Sequence, residues 1–347
     1  TGGTTGTPKG AIGLHANLAA NTLQFRAWLA GLQDGREVAL VAIPLFHVYG
    51  MVIGMSVSVA LGAAMVLLPN GRDIDAILQL IEQYRVTLFP GVPTLYHAVN
   101  HHPRVLDGGC DLRSVRACIS GSAPLPVEVK ARFEALTGGK VMEGYGLSEA
   151  PTATHCNPML GENRPGSIGL PLPDVSCCIV SMVDGRTILP PGEVGELLIR
   201  GPQVMPGYHN QPQETAVALA DGWLHTGDIA RMDAEGYFYL VGRKKELIKV
   251  SGYQVWPAEV EAVIATHPAV REVGVAGVPD EARGEVVRAW VVLQPGREVT
   301  ADEIRQWCLE QLAHYKAPQE VVFVAALPRT PVGKLLRREL NQLSPLS

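Results

Sequence analysis

The chain has 347 residues, of which 47% are hydrophobic and 18% charged, so it can bury the cores of about two or three domains. Its formal net charge of −5 argues against a general nucleic-acid binder. The six cysteines form no CxxC pair and have no histidine beside them at zinc-ligand spacing. We therefore expect free, buried thiols and a cytoplasmic location.

The chain opens with TGGTTGTPKG, Thr1–Gly10, which combines glycines, threonines and one lysine. A Walker A loop needs Gly–Lys followed by Ser or Thr, whereas here Pro8 precedes Lys9 and Gly10 follows it. Glycines nevertheless let successive N–H groups converge on an anion, and hydroxyls and an ammonium group add donors. The composition favours a phosphate-binding loop, and a flexible linker is the alternative.

Apolar strands alternate with helices over residues 10–165. The sequence predicts a strand over Glu37–Phe46, a helix over Asp73–Val86, a strand over Val115–Ser122 and a further helix that stops at Gly138. Such alternation predicts an α/β fold with a mostly parallel sheet covered by helices. Ligands of such sheets bind at the carboxyl ends of the strands.

One segment, Met51–Leu68, is uncharged over its whole length and reaches the lower limit for a membrane-spanning helix. It contains small residues, among them Gly54 and Gly62, and its second half is typical of a short buried strand. We therefore favour a buried helix, turn and strand over a membrane span.

The second half of the chain changes character twice. Residues 166–241 consist of short β-rich runs between Pro–Gly turns, which predicts a small β subdomain. After residue 242 the chain is more charged and predicts an α+β module, with one helix beginning at Pro257 and another at a capping box formed by Thr300 and Glu303. The predicted units are residues 1–165, 166–241 and 242–347.

Several polar stretches carry candidate chemistry. In EGYGLSEA, Tyr145 can stack on a base and Glu149 can hold a hard cation. Asp228 ends GWLHTGD, where a carboxylate presented on a turn can accept two hydrogen bonds from a ribose diol or form an Asx turn. A basic run over residues 242–261 lies at the boundary predicted from composition, and a solvated charged loop is the alternative interpretation. Lys334 by itself is an ordinary surface lysine.

Together, in this order and at these separations, the stretches resemble the adenylate-forming superfamily of acyl-CoA synthetases, firefly luciferase and peptide-synthetase adenylation domains. The resemblance covers essentially the whole chain and is strongest to bacterial long-chain fatty-acid–CoA ligases, through TGGTTG, GSIGLPLP, GPQVMPGY and GWLHTGDIA. It implies that the sheet is partial, because family members carry a large portion before the phosphate loop. It also implies a mobile C-terminal domain with its hinge near Lys245.

The resemblance implies roles for individual residues. The phosphate loop for ATP is matched by Thr1, Gly2, Gly3, Thr4, Thr5, Gly6 and Lys9. The adenine cradle is matched by Gly121, Ser122, Ala123, Pro124, Gly144, Tyr145 and Gly146. Ser148 stands where Thr is usual and matches the α-phosphate contact, while Glu149 matches the Mg²⁺ ligand.

The remaining roles lie in the second half of the chain. Asp228 and Arg243 match the residues that grip the ribose hydroxyls. Lys334 matches the lysine that bridges the substrate carboxylate and the α-phosphate, whereas Lys249 and Gly252 match the face used in transfer to CoA.

The resemblance implies activation of a fatty acid with ATP and Mg²⁺ and transfer to CoA. His47 and Tyr49, in PLFHVYG, match gate positions beside the acyl pocket, although His47 reads equally as a core histidine. The uncharged segment Met51–Leu68 and the small residues near Gly121 are the expected walls of this pocket. A medium-to-long chain is expected, because nothing charged in these stretches would recognise a second polar group. Open alternatives are an aryl acid, a carrier-protein acceptor, or a fragment that serves only as a binding module. A homodimer and loose membrane contact also stay open, and no nucleic-acid partner is expected.

Overall fold

The structure is a computed structural model that describes residues 1, 8–330 and 335–346. Its first part contains helices α1–α6 and strands β1–β6. The helices are α1 (His15–Trp28), α2 (Val57–Ala60), α3 (Ile74–Tyr84), α4 (Pro93–Asn100), α5 (Pro103–Leu106) and α6 (Val127–Thr137), with a π-helical segment Gly50–Ser56 before α2. The strands are β1 (Val38–Val41), β2 (Ala64–Leu67), β3 (Ala117–Ser120), β4 (Lys140–Leu147), β5 (Ala150–Cys156) and β6 (Leu170–Pro171).

The predicted parallel sheet is confirmed. Strand β1 pairs in parallel with β2, and β3 pairs in parallel with β4. The two pairs are joined through Leu88, which forms parallel bridges to Ala39 and to Ala117. Strands β5 and β6 then continue the sheet from β4 in antiparallel pairing.

Helices cover both faces of this sheet. In β3, Ala117 and Ile119 belong to one buried cluster with α1 and the π-helical segment, whereas Cys118 belongs to a second cluster with α3, α4 and α6. Alternation of side chains along a strand places these neighbours on opposite faces. The parallel strands are therefore buried from both sides, as α/β proteins require.

Local sequence signals explain the boundaries of most elements. The Asp73 side chain accepts a hydrogen bond from the Ala76 N–H at 3.0 Å and starts α3. Gly138 ends α6 in the left-handed conformation with φ +73°. The strand predicted over Glu37–Phe46 is shorter than expected and ends at Val41, where its pairing with β2 also ends. Pro44 lacks an N–H and cannot continue such a ladder.

The uncharged segment Met51–Leu68 has the predicted order of a helix, a turn at Gly62 and the strand β2. The expectation that this strand is buried was wrong, because three of its four residues are exposed. Across the parts of the chain that the structure describes, no helix combines the length and apolar character that crossing a membrane requires. Strand β2 pairs only with β1 among the described residues, and its Met65 and Leu67 are 38% and 59% exposed. An apolar edge of this kind pairs readily with a further strand.

The β subdomain follows as an antiparallel sheet in the order β10-β9-β8-β7. Its elements are β7 (Ser176–Val180), β8 (Gly195–Arg200), α7 (Pro212–Ala218), β9 (Leu224–Met232) and β10 (Phe238–Arg243). Its core includes Tyr145 and Ala150 from the first part of the chain, so the two sheets share one cluster.

A 3₁₀ turn, Lys244–Glu246, leads into the C-terminal module. Its elements are β11 (Ile248–Val250), β12 (Tyr253–Val255), α8 (Pro257–Ala265), β13 (Val270–Asp280), β14 (Gly284–Leu293), α9 (Ala301–Leu309), β15 (Glu320–Phe323) and a 3₁₀ segment Arg337–Gln342. The sheet order is β12-β11-β14-β13, with β15 parallel to β14, and α8 and α9 cover a separate core. The capping box at Thr300 and Glu303 is confirmed, as is the helix start at Pro257.

The six cysteines are free, as predicted. Three of them are buried and three are half-buried, so burial is less complete than expected.

Candidate functional site

The structure brings Tyr145, Asp228 and Arg243 together from three strands. The Tyr145 hydroxyl donates to Asp228 Oδ2 at 2.5 Å, and Arg243 Nε lies 2.8 Å from Asp228 Oδ1. The Asp228 residue is only 3% exposed, and Tyr145 is also buried. A buried carboxylate is tolerated here because a guanidinium and a hydroxyl satisfy it.

The surroundings of this triad keep Tyr145 protonated and Arg243 charged. Burial raises the pKa of Tyr145 far above its usual value, and the neighbouring Asp228 charge raises it further. The pKa of Arg243 is also raised: burial acts against its charge, but Asp228 together with Tyr145, Glu246 and Glu149 outweighs burial. The phenol therefore stays protonated as a donor, and the guanidinium stays charged.

A second buried carboxylate, Glu196 on β8, fixes the segments on either side of the triad. Its Oε1 accepts from the Gly227 N–H at 3.2 Å, and its Oε2 accepts from Lys244 Nζ at 2.8 Å. Gly227 precedes Asp228 and Lys244 follows Arg243, so one side chain holds both strands in register. Glu196 lies in one of the β-rich runs predicted over residues 166–241, but no sequence motif marks it as a site residue.

The glycines around Tyr145 are explained by close backbone contacts. A Cβ at Gly146 would lie 1.8 Å from the Thr152 carbonyl oxygen, and one at Gly144 would lie 3.3 Å from that of His155. The backbone of β5 thus leaves no room for a side chain at Gly146. Helix α1 holds β5 in place, because the Asn21 side chain donates to the Ala153 carbonyl and accepts from the Thr152 N–H.

The predicted adenine cradle is an exposed turn after β3. Ser122, with φ +72°, Ala123 and Pro124 are exposed at the carboxyl end of this strand, where the fold predicts a ligand. Gly121 lies above Tyr49, because its Cβ position is 3.7 Å from the Tyr49 ring. Access to this turn is therefore from solvent.

Tyr49 and His47 differ in burial. The Tyr49 hydroxyl lies 2.5 Å from the Ile119 carbonyl oxygen and 3.1 Å from that of Gly91, so the ring is fixed beneath the turn. His47 is half-buried, its Nδ1 accepts from the Tyr49 N–H at 3.2 Å, and burial lowers its pKa. His47 is therefore not a fully buried core histidine, and the gate role of both residues stays a prediction.

A second cluster surrounds Glu149. Tyr208 donates its hydroxyl to Glu149 Oε1 at 2.8 Å, and the Lys9 ammonium lies 5.0 Å from the centre of the Tyr208 ring. Lys9 also forms an ion pair with Glu214. Ser148, next to Glu149, is half-buried. Neither Tyr208 nor Glu214 was predicted, although Tyr208 ends the stretch GPQVMPGY that supported the resemblance.

Glu149 fits the Mg²⁺ role assigned to it by the resemblance. Mg²⁺ is usually held by one or two carboxylates together with waters and substrate phosphates. Within residues 1, 8–330 and 335–346, no three His, Cys, Asp or Glu side chains are grouped as a metal site of their own. A single half-buried carboxylate beside the residues that follow the phosphate loop suits a metal ion that arrives with a polyphosphate.

The C-terminal candidates are placed on exposed positions. Lys245 lies in the 3₁₀ turn, Lys249 is exposed on β11, and Gly252 has φ +85° in the turn between β11 and β12. A Cβ at Gly242 would lie 2.8 Å from the Trp256 ring, so this module rests directly on β10.

Two sets of predicted residues lie outside the described residues. They are Gly2, Gly3, Thr4, Thr5 and Gly6 of the phosphate loop, and Lys334. Thr1 is described, and its carbonyl accepts a hydrogen bond from the Lys9 N–H at 3.1 Å.

Two family profiles match the chain. The AMP-binding enzyme profile matches residues 1–209, and the profile of the AMP-binding enzyme C-terminal domain matches residues 259–334. Among curated proteins, the long-chain-fatty-acid–CoA ligase of Bacillus subtilis is 48% identical over 98% of this chain. The chain spans 60% of the length of that relative.

Solved structures of the same fold contain bound ATP. The ATP-bound structure of MatB from Rhodopseudomonas palustris has a TM-score of 0.91 and 35% identity, covering 99% of this chain and 66% of that one. The O-succinylbenzoate coenzyme A synthetase MenE from Bacillus subtilis, in complex with ATP and magnesium ion, has a TM-score of 0.86 and 32% identity, covering 98% of this chain and 68% of that one.

Proposed function

The chain belongs to the AMP-binding enzyme family, and on that premise we propose that it activates a medium-to-long-chain fatty acid with ATP and transfers the acyl group to CoA. The observation that carries the proposal is the buried Asp228 carboxylate, bound by Tyr145 and Arg243 from two other strands. A carboxylate offers about four lone pairs as acceptors, and one fixed between a phenol and a guanidinium suits the vicinal hydroxyls of a ribose.

The first step is an attack of the fatty-acid carboxylate oxygen on the α-phosphorus of ATP, which forms acyl-AMP and releases pyrophosphate. Repulsion between the carboxylate and the phosphates opposes this step. Mg²⁺ bound at Glu149 would supply neutralising charge. Lys9 is proposed to bind the departing phosphates and Lys334 to bridge the carboxylate and the α-phosphate.

In the second step the CoA sulfur attacks the acyl carbonyl carbon, the thioester forms and AMP leaves. We propose that residues 242–347 rotate about Lys245 between the steps, so that Lys334 withdraws and Lys249 and Gly252 approach. The exposed 3₁₀ turn at Lys245 is the short connection between the β10 and β11 sheets, which suits a hinge.

The fatty-acid assignment is supported by the named relative at 48% identity. The uncharged segment Met51–Leu68, which packs through Val52, Ile53 and Val57 in the core next to Tyr49, adds support as a wall of the acyl pocket. An aromatic acid is the second candidate, because MenE shares the fold at 32% identity and acts on O-succinylbenzoate by its name.

ATP–pyrophosphate exchange tests the activation step. The full-length protein is assayed with palmitate, acetate and O-succinylbenzoate, each with MgATP. We expect exchange with palmitate to exceed exchange with the other acids by at least about tenfold, which is the low end of the discrimination that a single buried methylene provides. Equal rates with acetate and palmitate would refute the chain-length assignment, and no exchange with any acid would leave the binding-module alternative.

The acceptor is tested separately. Acyl-AMP made by the enzyme is offered to CoA and to a phosphopantetheinylated carrier protein, and thioester formation is measured by mass spectrometry. We expect transfer to CoA; transfer to the carrier alone would reassign the second step. Fractionation of cells expressing the full-length protein tests the predicted cytoplasmic location and its loose contact with membranes.

A further inference from the structure

Residues 207–215 lie against the residues that follow the phosphate loop. Ala11 and Tyr208 form an antiparallel bridge, the Ile12 N–H donates to the Gly207 carbonyl at 2.9 Å, and the His209 N–H donates to the Gly10 carbonyl at 2.7 Å. These bonds fix the backbone of residues 10–12, directly after Lys9. The Lys9 side chain therefore has a defined place next to this segment.

Two side chains of the same segment hold the Lys9 ammonium. The Glu214 carboxylate is its ion-pair partner, and the Tyr208 ring provides a cation–π contact at 5.0 Å. The Lys9 hydrogen bond lowers the pKa of Glu214, and the charge of Lys245 lowers it further. Glu214 is thus a carboxylate paired with a phosphate-loop lysine, and its pKa is also lowered by the charge of the hinge lysine.

The position of Glu214 is set by the local fold rather than by the ion pair. The hydroxyl of Thr215 accepts from the Tyr208 N–H at 2.9 Å and donates to the Gln211 carbonyl at 2.8 Å. A Cβ at Gly207 would lie 2.6 Å from the Thr215 methyl group, so the segment closes tightly on itself. Removal of the Glu214 charge is therefore expected to leave the segment and the Tyr208 contact in place.

We propose that Glu214 is an internal counter-ion of Lys9 that competes with the polyphosphate of ATP, and so weakens the binding of ATP and speeds the release of pyrophosphate. This inference rests on the proposed function. When the Lys9 ammonium binds a phosphate oxygen, it gives up part of its interaction with Glu214. The negative Glu214 carboxylate then lies close to the negative phosphates and repels them. The polyphosphate must offset both effects.

The competition predicts a gain in affinity when Glu214 is neutralised. In Glu214→Gln the Lys9 ammonium keeps its cation–π contact with Tyr208, but the carboxylate that competes with the phosphates for this ammonium is gone. We expect the dissociation constants of MgATP and of magnesium pyrophosphate to fall about two- to fivefold, which is the range that one exposed ion pair supports. AMP lacks the β- and γ-phosphates and is expected to bind unchanged.

Isothermal titration calorimetry on the full-length protein measures the three ligands. The matched control is Asp34→Asn, which removes a similarly exposed carboxylate from its ion pair with Arg26. In a Lys9→Met background, Glu214→Gln is expected to have no effect on MgATP, because the cation for which the carboxylate competes is gone.

The outcomes separate the two proposals. Wild-type protein that binds no MgATP would overturn the proposed function and this inference with it. If the wild type binds MgATP but Glu214→Gln binds it equally or more weakly, the counter-ion inference fails alone. An equal gain for AMP, or a gain that persists without Lys9, would also overturn it, since the effect would then be one of net charge.

Discussion

We predict that His155 makes the stability of the fold around the candidate nucleotide site sensitive to acid. It lies on β5 with no exposed surface, with its ring centre 5.9 Å from that of Tyr145 and 4.7 Å from that of Phe238. Its Nδ1 lies 2.9 Å from the Thr154 hydroxyl. Burial lowers the pKa of His155 from 6.5 to about 3, because an imidazolium here would lose its hydration.

The sign of the resulting pH dependence follows from this pKa. In the unfolded chain the imidazole takes up a proton as the pH falls through 6.5, whereas in the folded chain it stays neutral until about pH 3. The stabilising contribution is therefore complete above pH 6.5 and is lost progressively below it. Each pH unit is worth about 1.4 kcal/mol, so about 2 kcal/mol of unfolding free energy is lost between pH 6.5 and pH 5.

The perturbation that isolates this effect is His155→Gln, which keeps a polar side chain but does not titrate. Wild type and variant are compared by differential scanning calorimetry at pH 7.5 and pH 5. We expect the wild type to lose about 4 °C more in Tm than the variant over this interval. His314→Gln, at an exposed imidazole, is the control and is expected to follow the wild type. Parallel pH dependence in wild type and His155→Gln would refute the reasoning.

Three further predictions concern the proposed reaction. Lys334→Ala is expected to slow ATP–pyrophosphate exchange about 10²- to 10³-fold while MgATP still binds in calorimetry; full-speed exchange would contradict its role. Tyr208→Phe removes the hydroxyl that holds Glu149, so we expect about tenfold more Mg²⁺ to be needed for half-maximal exchange, whereas Tyr239→Phe, which removes a hydrogen bond to Asp233, should leave this requirement unchanged. Asp228→Asn is expected to raise the KM for ATP about tenfold or more and to leave the KM for the fatty acid within twofold; equal effects on both would indicate general damage.

The predictable parts of the fold are those that depend on near neighbours in the chain. Helix α3 follows from the spacing of Ile77, Leu78 and Ile81 and from the cap at Asp73, and the structure has it within two residues of the predicted range. Periodicity and caps act over a few residues, so one sequence carries their full signal. The strand after Glu37 was predicted too long because the end of a strand depends on where its partner ends.

The same distinction holds for the candidate site. Sequence motifs marked Tyr145, Glu149 and Asp228 individually, since each residue type in its turn suits one part of the chemistry, whereas Arg243 was assigned only through the family resemblance. That Tyr145 donates to Asp228, 83 residues away, came only from the structure, because the contact depends on how β4 packs against β9.

By itself the sequence determined the alternation of strands and helices, the caps and the motif residues, because these depend on local geometry and residue chemistry. The tertiary structure alone decided the pairs: Tyr208 with Glu149, Glu214 with Lys9, and Glu196 with the turns beside the triad. These charges and donors are far apart in the chain, and whether two of them meet depends on the packing of separate sheets, which local patterns do not record.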